Sequence, residues 1–189
     1  EWEILRTPRL GQVCNHQHCL DNATTDWIWR IDDDEIPLPN CLEQLLNTVR
    51  DYGRGDEIDN IGAVAGLVHQ PMSVSPLPDF VDGSLKDVQA GLNLQWFSWN
   101  GYPREVEHLY STFLFRAEAG RKAGGYPRGL STIGHREESI FSHSIKRAGY
   151  KLIVTPYART YHLREATGGI RSFNDHSLWE KDEQVFQSY

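Results

Sequence analysis

The stretch that most constrains this chain is residues 27–39, WIWRIDDDEIPLP, where a strand-length apolar run ends abruptly in four consecutive acids. A nearly continuous apolar and aromatic run interrupted by one Arg suits a strand buried inside a sheet and ending at Asp32. Four adjacent carboxylates repel one another unless water, a cation or hydrogen-bond donors stabilise them, so the run is either a solvated turn or a built site. Beyond it, Leu42, Leu45, Leu46 and Val49 recur at helical spacing. Pro39 can occupy the first turn of that helix and Gly53 can stop it. The segment reads as strand, acidic turn, helix.

Further elements follow downstream, with no internal repeat. IGAVAGLVH, residues 61–69, reads as a second buried strand, followed by the Pro- and Ser-rich QPMSVSPLPDF, which cannot hold regular structure for long. LNLQWFSW and STFLFR are plausible strands, and AEAGRKAGG is a short helical piece that its glycines end. From Glu137, the residues Ile140, Phe141, Ile145 and Ala148 share one helical stripe that Gly149 closes. KLIVTP and RTYHLR read as two short strands. The tail from GGIRSFNDHS onward is polar and weakly periodic, so it is expected to be mobile with a short terminal helix. Alternating strands and helices predict an α/β layered domain, mainly parallel in its first half.

Composition limits what such a domain can do. A formal charge of -7 over 189 residues argues against a surface made for nucleic-acid phosphates or anionic lipids. Cys14, Cys19 and Cys41 are too few and odd in number for a disulfide framework, which favours a reducing compartment. No apolar stretch approaches membrane-spanning length, so the expected location is cytoplasmic or peripheral to a membrane.

Two acidic constellations carry the chemistry. In open α/β sheets ligands bind beyond the carboxyl ends of strands, where this reading puts Asp32, Asp33, Asp34 and Glu35. Their hard oxygens suit Mg2+, Mn2+ or Ca2+, and in an extended turn Asp32 and Asp34 project to one side while Asp33 points away. The competing reading is a solvated turn that caps the following helix. Glu137 and Glu138 open a helix, where the dipole and free amides keep a carboxylate ionised and able to take a proton. Acids are also favoured in first turns for stability alone.

RIDDDEIPLPNCL, EESIFSHSIKRAGYKL and TYHLR, in that order, resemble the nucleotide-sugar-dependent glycosyltransferases of family 2, which have the GT-A fold. The resemblance runs from about Gly11 to Gly169. It implies a GT-A-like mixed, largely parallel sheet flanked by helices, with a catalytic domain over residues 1–169 and a mobile segment over 170–189. The family's usual opening strand and nucleotide-gripping loop are missing ahead of this chain, so the domain is expected to be truncated at its N-terminus.

Carried over residue by residue, the resemblance implies that Asp34 binds a divalent metal, Mn2+ or Mg2+, with Asp32 holding the metal through water or the nucleotide sugar. Asp33 would assist the ribose, and His162 would be a further metal ligand. Read from its strand alone, His162 is a half-buried sheet histidine. Glu138 falls at the position of the catalytic base, with Glu137 beside it among the donor contacts. The implied reaction is transfer of a sugar from a UDP-sugar to a saccharide or other hydroxyl, with inversion.

Trp99, within WFSWNGYP, offers an aromatic face to an acceptor sugar, and Arg164 and Arg171 are placed to approach a diphosphate. CNHQHC crowds four potential ligands into six residues and is discounted as a zinc site. Two other readings stay open, a metal-dependent hydrolase and a sugar- or partner-binding domain without turnover.

Overall fold

The computed structural model describes residues 4–7, 10–52, 60–69, 95, 101–163 and 176–189. In chain order the elements are helix α1 (Gln12–Asn22), strands β1 (Trp27–Arg30) and β2 (Glu35–Pro37), and helix α2 (Cys41–Tyr52). Strands β3 (Ile61–His69), β4 (Arg104–Glu105) and β5 (Phe113–Arg116) follow, then helices α3 (Ala117–Lys122) and α4 (Glu137–Arg147). Strand β6 (Lys151–His162) and helix α5 (His176–Gln187) complete the described elements. None of the helices described is long and apolar enough to cross a membrane.

The sheet order is β1-β5-β3-β6-β2, with β4 pairing β6 off this path. Alternate residues serve two cores, as the period of two requires. Phe113, Phe115, Leu152 and Val154 face Leu20, Phe141 and Ile145 on the side of α1 and α4. Leu114 and Ile153 face Cys41, Leu45 and Val49 of α2. Helices on both faces explain why β3 is apolar at almost every position. In α2 the buried stripe is Cys41, Leu45, Thr48 and Val49. Leu42 and Leu46 are exposed, on the flank of that stripe.

The mixed α/β architecture is as expected, but its largely parallel character is corrected. Among the described residues β3 and β6 are the one parallel pair. The pairs β1/β5, β3/β5, β2/β6 and β4/β6 are antiparallel. Burial on both faces selects the same apolar residues whichever way a neighbour runs, so composition does not report direction. Strand β1, read as internal, pairs among the described residues with β5 alone. KLIVTP and RTYHLR are one strand, β6, whose register slips between Ala65 and Leu67 of β3. Pro156 interrupts the ladder there, and Gly66 lets the backbones close up, because a Cβ at that position would lie 2.5 Å from the Ala158 carbonyl oxygen.

The expected terminal helix is present as α5, but it is tied down rather than loose. Asp182 on it is fully buried and accepts hydrogen bonds from the backbone N–H groups of Ser131 and His135. Leu178, Trp179, Val185 and Phe186 share the face of Asp182 at helical spacing and are half-buried.

One consequence of the order concerns the acidic turn. Strands β1 and β2 lie at its opposite ends, yet only residues 31–34 separate them. Laid flat, the five strands would set them about 19 Å apart. The connection contains a bond from Glu35 N–H to the Asp32 carbonyl, and such a turn draws its ends within about 7 Å. Sheet twist must therefore bring the two margins together, with the acids between them.

Candidate active site

The acidic turn is placed by register. Glu35 pairs with His162 across β2 and β6, and Leu163 N–H donates to the Asp34 carbonyl at 2.8 Å. Asp34 is thereby set beside the end of β6, and its Oδ2 lies 3.1 Å from His162 Nε2. Both side chains keep some exposure, 32% for Asp34 and 17% for His162. A carboxylate and an imidazole suit Mn2+ and related ions. Two adjacent ligands, each about 2.1 Å from one ion, would be roughly 3 Å apart, so this spacing fits a shared cation.

Asp32 does not join them. Its Oδ1 accepts a bond from Arg30 Nη2 at 3.4 Å, and its Oδ2 accepts one from Ser111 Oγ at 3.3 Å. Among the described residues no group of three or more His, Cys, Asp or Glu side chains is arranged to hold a metal. The expected set of Asp32, Asp34 and His162 is thus assembled as a pair. Asp33 is exposed between its two half-buried neighbours, as the alternation of an extended turn predicts.

The buried end of the site is built on Arg30. Its Nη2 donates to Glu137 Oε1 at 2.6 Å, and the guanidinium lies 5.6 Å from the centre of the Phe113 ring. Burial opposes the Arg30 charge, but Glu137 first, then Tyr126, Glu138 and Asp32, together more than offset it and hold Arg30 protonated. Its Nε and Nη1 are buried without a hydrogen-bond partner, so the charge depends on few contacts. Glu137 is 0% exposed. Its carboxylate meets Arg30 within the fold, with His16 and Gln12 at longer range.

His16 approaches Glu137 Oε1 at 3.7 Å and stacks on Tyr126. Burial, then the Arg30 charge, pushes its pKa down to about 4. At neutral pH the ring is uncharged, and the contact is polar rather than ionic. Cys14 and Cys19 of the same helix are exposed.

Between the two ends lies a second carboxylate pair. Ser111 Oγ donates to Glu35 Oε1 in a short hydrogen bond and also lies against Asp32. One hydroxyl hydrogen cannot serve two carboxylates at once. Burial, only partly countered by bonds from Ser111, Thr112 and Thr160, raises the Glu35 pKa. Ser111 holds a left-handed conformation, φ 52°, to reach both acids.

Glu138 is half-buried in the first turn of α4, directly after Glu137. The Arg30–Glu137 ion pair thus joins the end of β1 to the helix that carries Glu138. Trp99, Arg164 and Arg171 lie outside the described residues. Sequence reading passed over Arg30 and Ser111 as site residues, took Glu35 only as part of the acidic run, and discounted the cluster that holds His16. Only Arg30 left a signal, as the one charge inside an apolar strand.

A crystal structure of GalNAc-T7 with UDP, GalNAc and Mn2+ superposes with a TM-score of 0.62 at 15% identity, over 95% of this chain and 35% of that one. The likeness establishes a GT-A fold, and the chain spans about a third of that neighbour's length. None of the curated proteins compared with the chain matches it. The family model described as glycosyl transferase family 2 matches residues 1–105, more than half of the chain. That match includes the acidic turn, whereas α4 and β6 fall beyond it. With fold, acidic turn and family model in agreement, this chain belongs to glycosyl transferase family 2.

Proposed function

We propose that the domain is a divalent-metal-dependent glycosyltransferase that moves a sugar from a UDP-sugar to an acceptor hydroxyl with inversion at the anomeric carbon. The observation that carries this reading is the convergence of Asp34 and His162, 3.1 Å apart, at the strand ends where Arg30 ties the acidic turn to the first turn of α4. The presence of UDP and Mn2+ in the structural neighbour supports the choice of nucleotide and ion.

Asp34 and His162 would hold the ion. A bound divalent cation supplies Lewis-acid stabilisation of the negative charge that develops on a leaving diphosphate. Asp32, fixed by Arg30 and Ser111, faces the donor sugar, and exposed Asp33 is free to meet the ribose. Glu138 takes the proton from the acceptor hydroxyl as that oxygen bonds to the anomeric carbon. The bond from that carbon to the diphosphate oxygen breaks, and its electron pair departs with the nucleoside diphosphate. Glu137 anchors Arg30.

Release of UDP from UDP-sugars should require Mn2+ or Mg2+ and fall by about 10²–10⁴ in E138Q. D34A should lose the metal-dependent activity, and the anomeric proton of the product, read by NMR, should show inversion. Turnover that persists in chelator would overturn the metal, and a retained anomer would overturn the role of Glu138. Cleavage of sugars that carry no nucleotide would favour a hydrolase.

A further inference from the structure

Helix α4 begins without the usual means of support. Its N-cap is Arg136, which makes no side-chain capping bond and sits in the left-handed region, φ 68°. A residue with a side chain holds that conformation only when its surroundings impose it. On one side the preceding loop borders a cavity of about 520 Å³ lined by Val13, Gln17, Tyr126 and Ser131, among others, so its packing there is open.

What holds this loop comes from the far end of the chain. The Asp182 carboxylate, at 0% exposure, accepts bonds from Ser131 N–H, from Ser131 Oγ at 2.7 Å and from His135 N–H at 2.8 Å. The strained Arg136 donates to Glu183 at 3.1 Å and lies 5.2 Å from the centre of the Phe186 ring. His135 packs against Trp179, with ring centroids 4.2 Å apart. Helix α5 thus grips consecutive residues on the approach to Glu137 and Glu138.

We propose that Asp182 is a positioning residue: through Ser131 and His135 it fixes the loop that sets the first turn of α4 and thereby the carboxylate of Glu138. The assignment rests on the reading of Glu138 as the base. It replaces a local helix cap with a clasp supplied by a distant helix, because amides bound by a buried carboxylate have no water to exchange for it. The loop is then ordered only while α5 is docked.

The test uses the whole chain as D182N, with S131A as a milder variant and K181A, exposed on the same helix, as control. An Asn presents donors where the carboxylate presented acceptors, so amide exchange at 131 and 135 should quicken about tenfold or more. The carboxyl ¹³C resonance of Glu138, assigned by its loss in E138Q, should shift. Sugar transfer should fall about tenfold in kcat with donor KM within about twofold of wild type. S131A should show the same changes at reduced size, and K181A none. If D182N fails to fold, S131A decides by the same three readouts. Faster exchange with an unmoved Glu138 resonance and unchanged kcat would overturn the proposal, and so would unchanged exchange. A wild-type chain without transfer would sink the enzymatic reading alone, since exchange and the Glu138 resonance still decide the clasp.

Discussion

The two ends of the site solve the same electrostatic problem in opposite ways. At one end Arg30 and Glu137 meet at 2.6 Å with side chains 3% and 1% exposed. At the other Asp34 and His162 meet at 3.1 Å with side chains 32% and 17% exposed. A dry ion pair cannot exchange its partner for water, so it fixes the elements that carry it; a wet pair contributes little to stability and is free to accept a ligand. Charge alone does not distinguish scaffold from site. Access to water does.

The largest expected effect breaks the dry end. R30M leaves Glu137 buried without its counter-charge and should cost about 3–5 kcal/mol of stability in urea unfolding. The double variant R30M/E137L should recover much of that loss, since an apolar pair removes the stranded charge. A double variant as unstable as the single one would show that Arg30 acts through something other than Glu137.

A middle-sized effect concerns pH at the same end. His16 has its folded pKa depressed to about 4 from an ordinary 6.5, by burial and then by Arg30. Above pH 6.5 both folded and unfolded states are neutral at this ring, and its contribution is fully present. As pH falls from about 6.5 toward 4 the unfolded chain takes up a proton that the folded one refuses, and stability is lost. The loss should reach up to about 3 kcal/mol. Urea midpoints followed across that window should fall less steeply in H16L, and the His16 ring resonances should stay those of a neutral imidazole at pH 5.

The smallest stability effect should come from the wet end, where it sharpens the contrast. D34A should change unfolding free energy by no more than about 1 kcal/mol. It should nevertheless abolish any rise in Tm produced by Mn2+ together with UDP. A large loss of stability in D34A, with the metal response intact, would reverse the assignment of the two ends.

Much of this was legible in the sequence, and the reason is local. The apolar run before Asp32 marked a strand, the spacing of Leu45 and Val49 marked α2, and Gly149, φ 98°, closed α4 where the stripe ended. What was misread involved partners. Glu137 and Glu138 look alike in sequence, yet one is sealed against Arg30 and the other is half-exposed. The tail was expected to be mobile because it is polar and opens on glycines, and the partners of its Asp182 carboxylate lie far away in the sequence.

The sequence by itself determined that a strand runs into the acidic turn and that α2 and α4 are helices, because side-chain periodicity and turn chemistry act over a few neighbouring residues. Only the tertiary structure decided that Asp34 meets His162, that Arg30 bridges Asp32 and Glu137, and that α5 grips the approach to α4. Those meetings depend on strand order, register and twist, which bring distant side chains together without leaving a pattern along the chain.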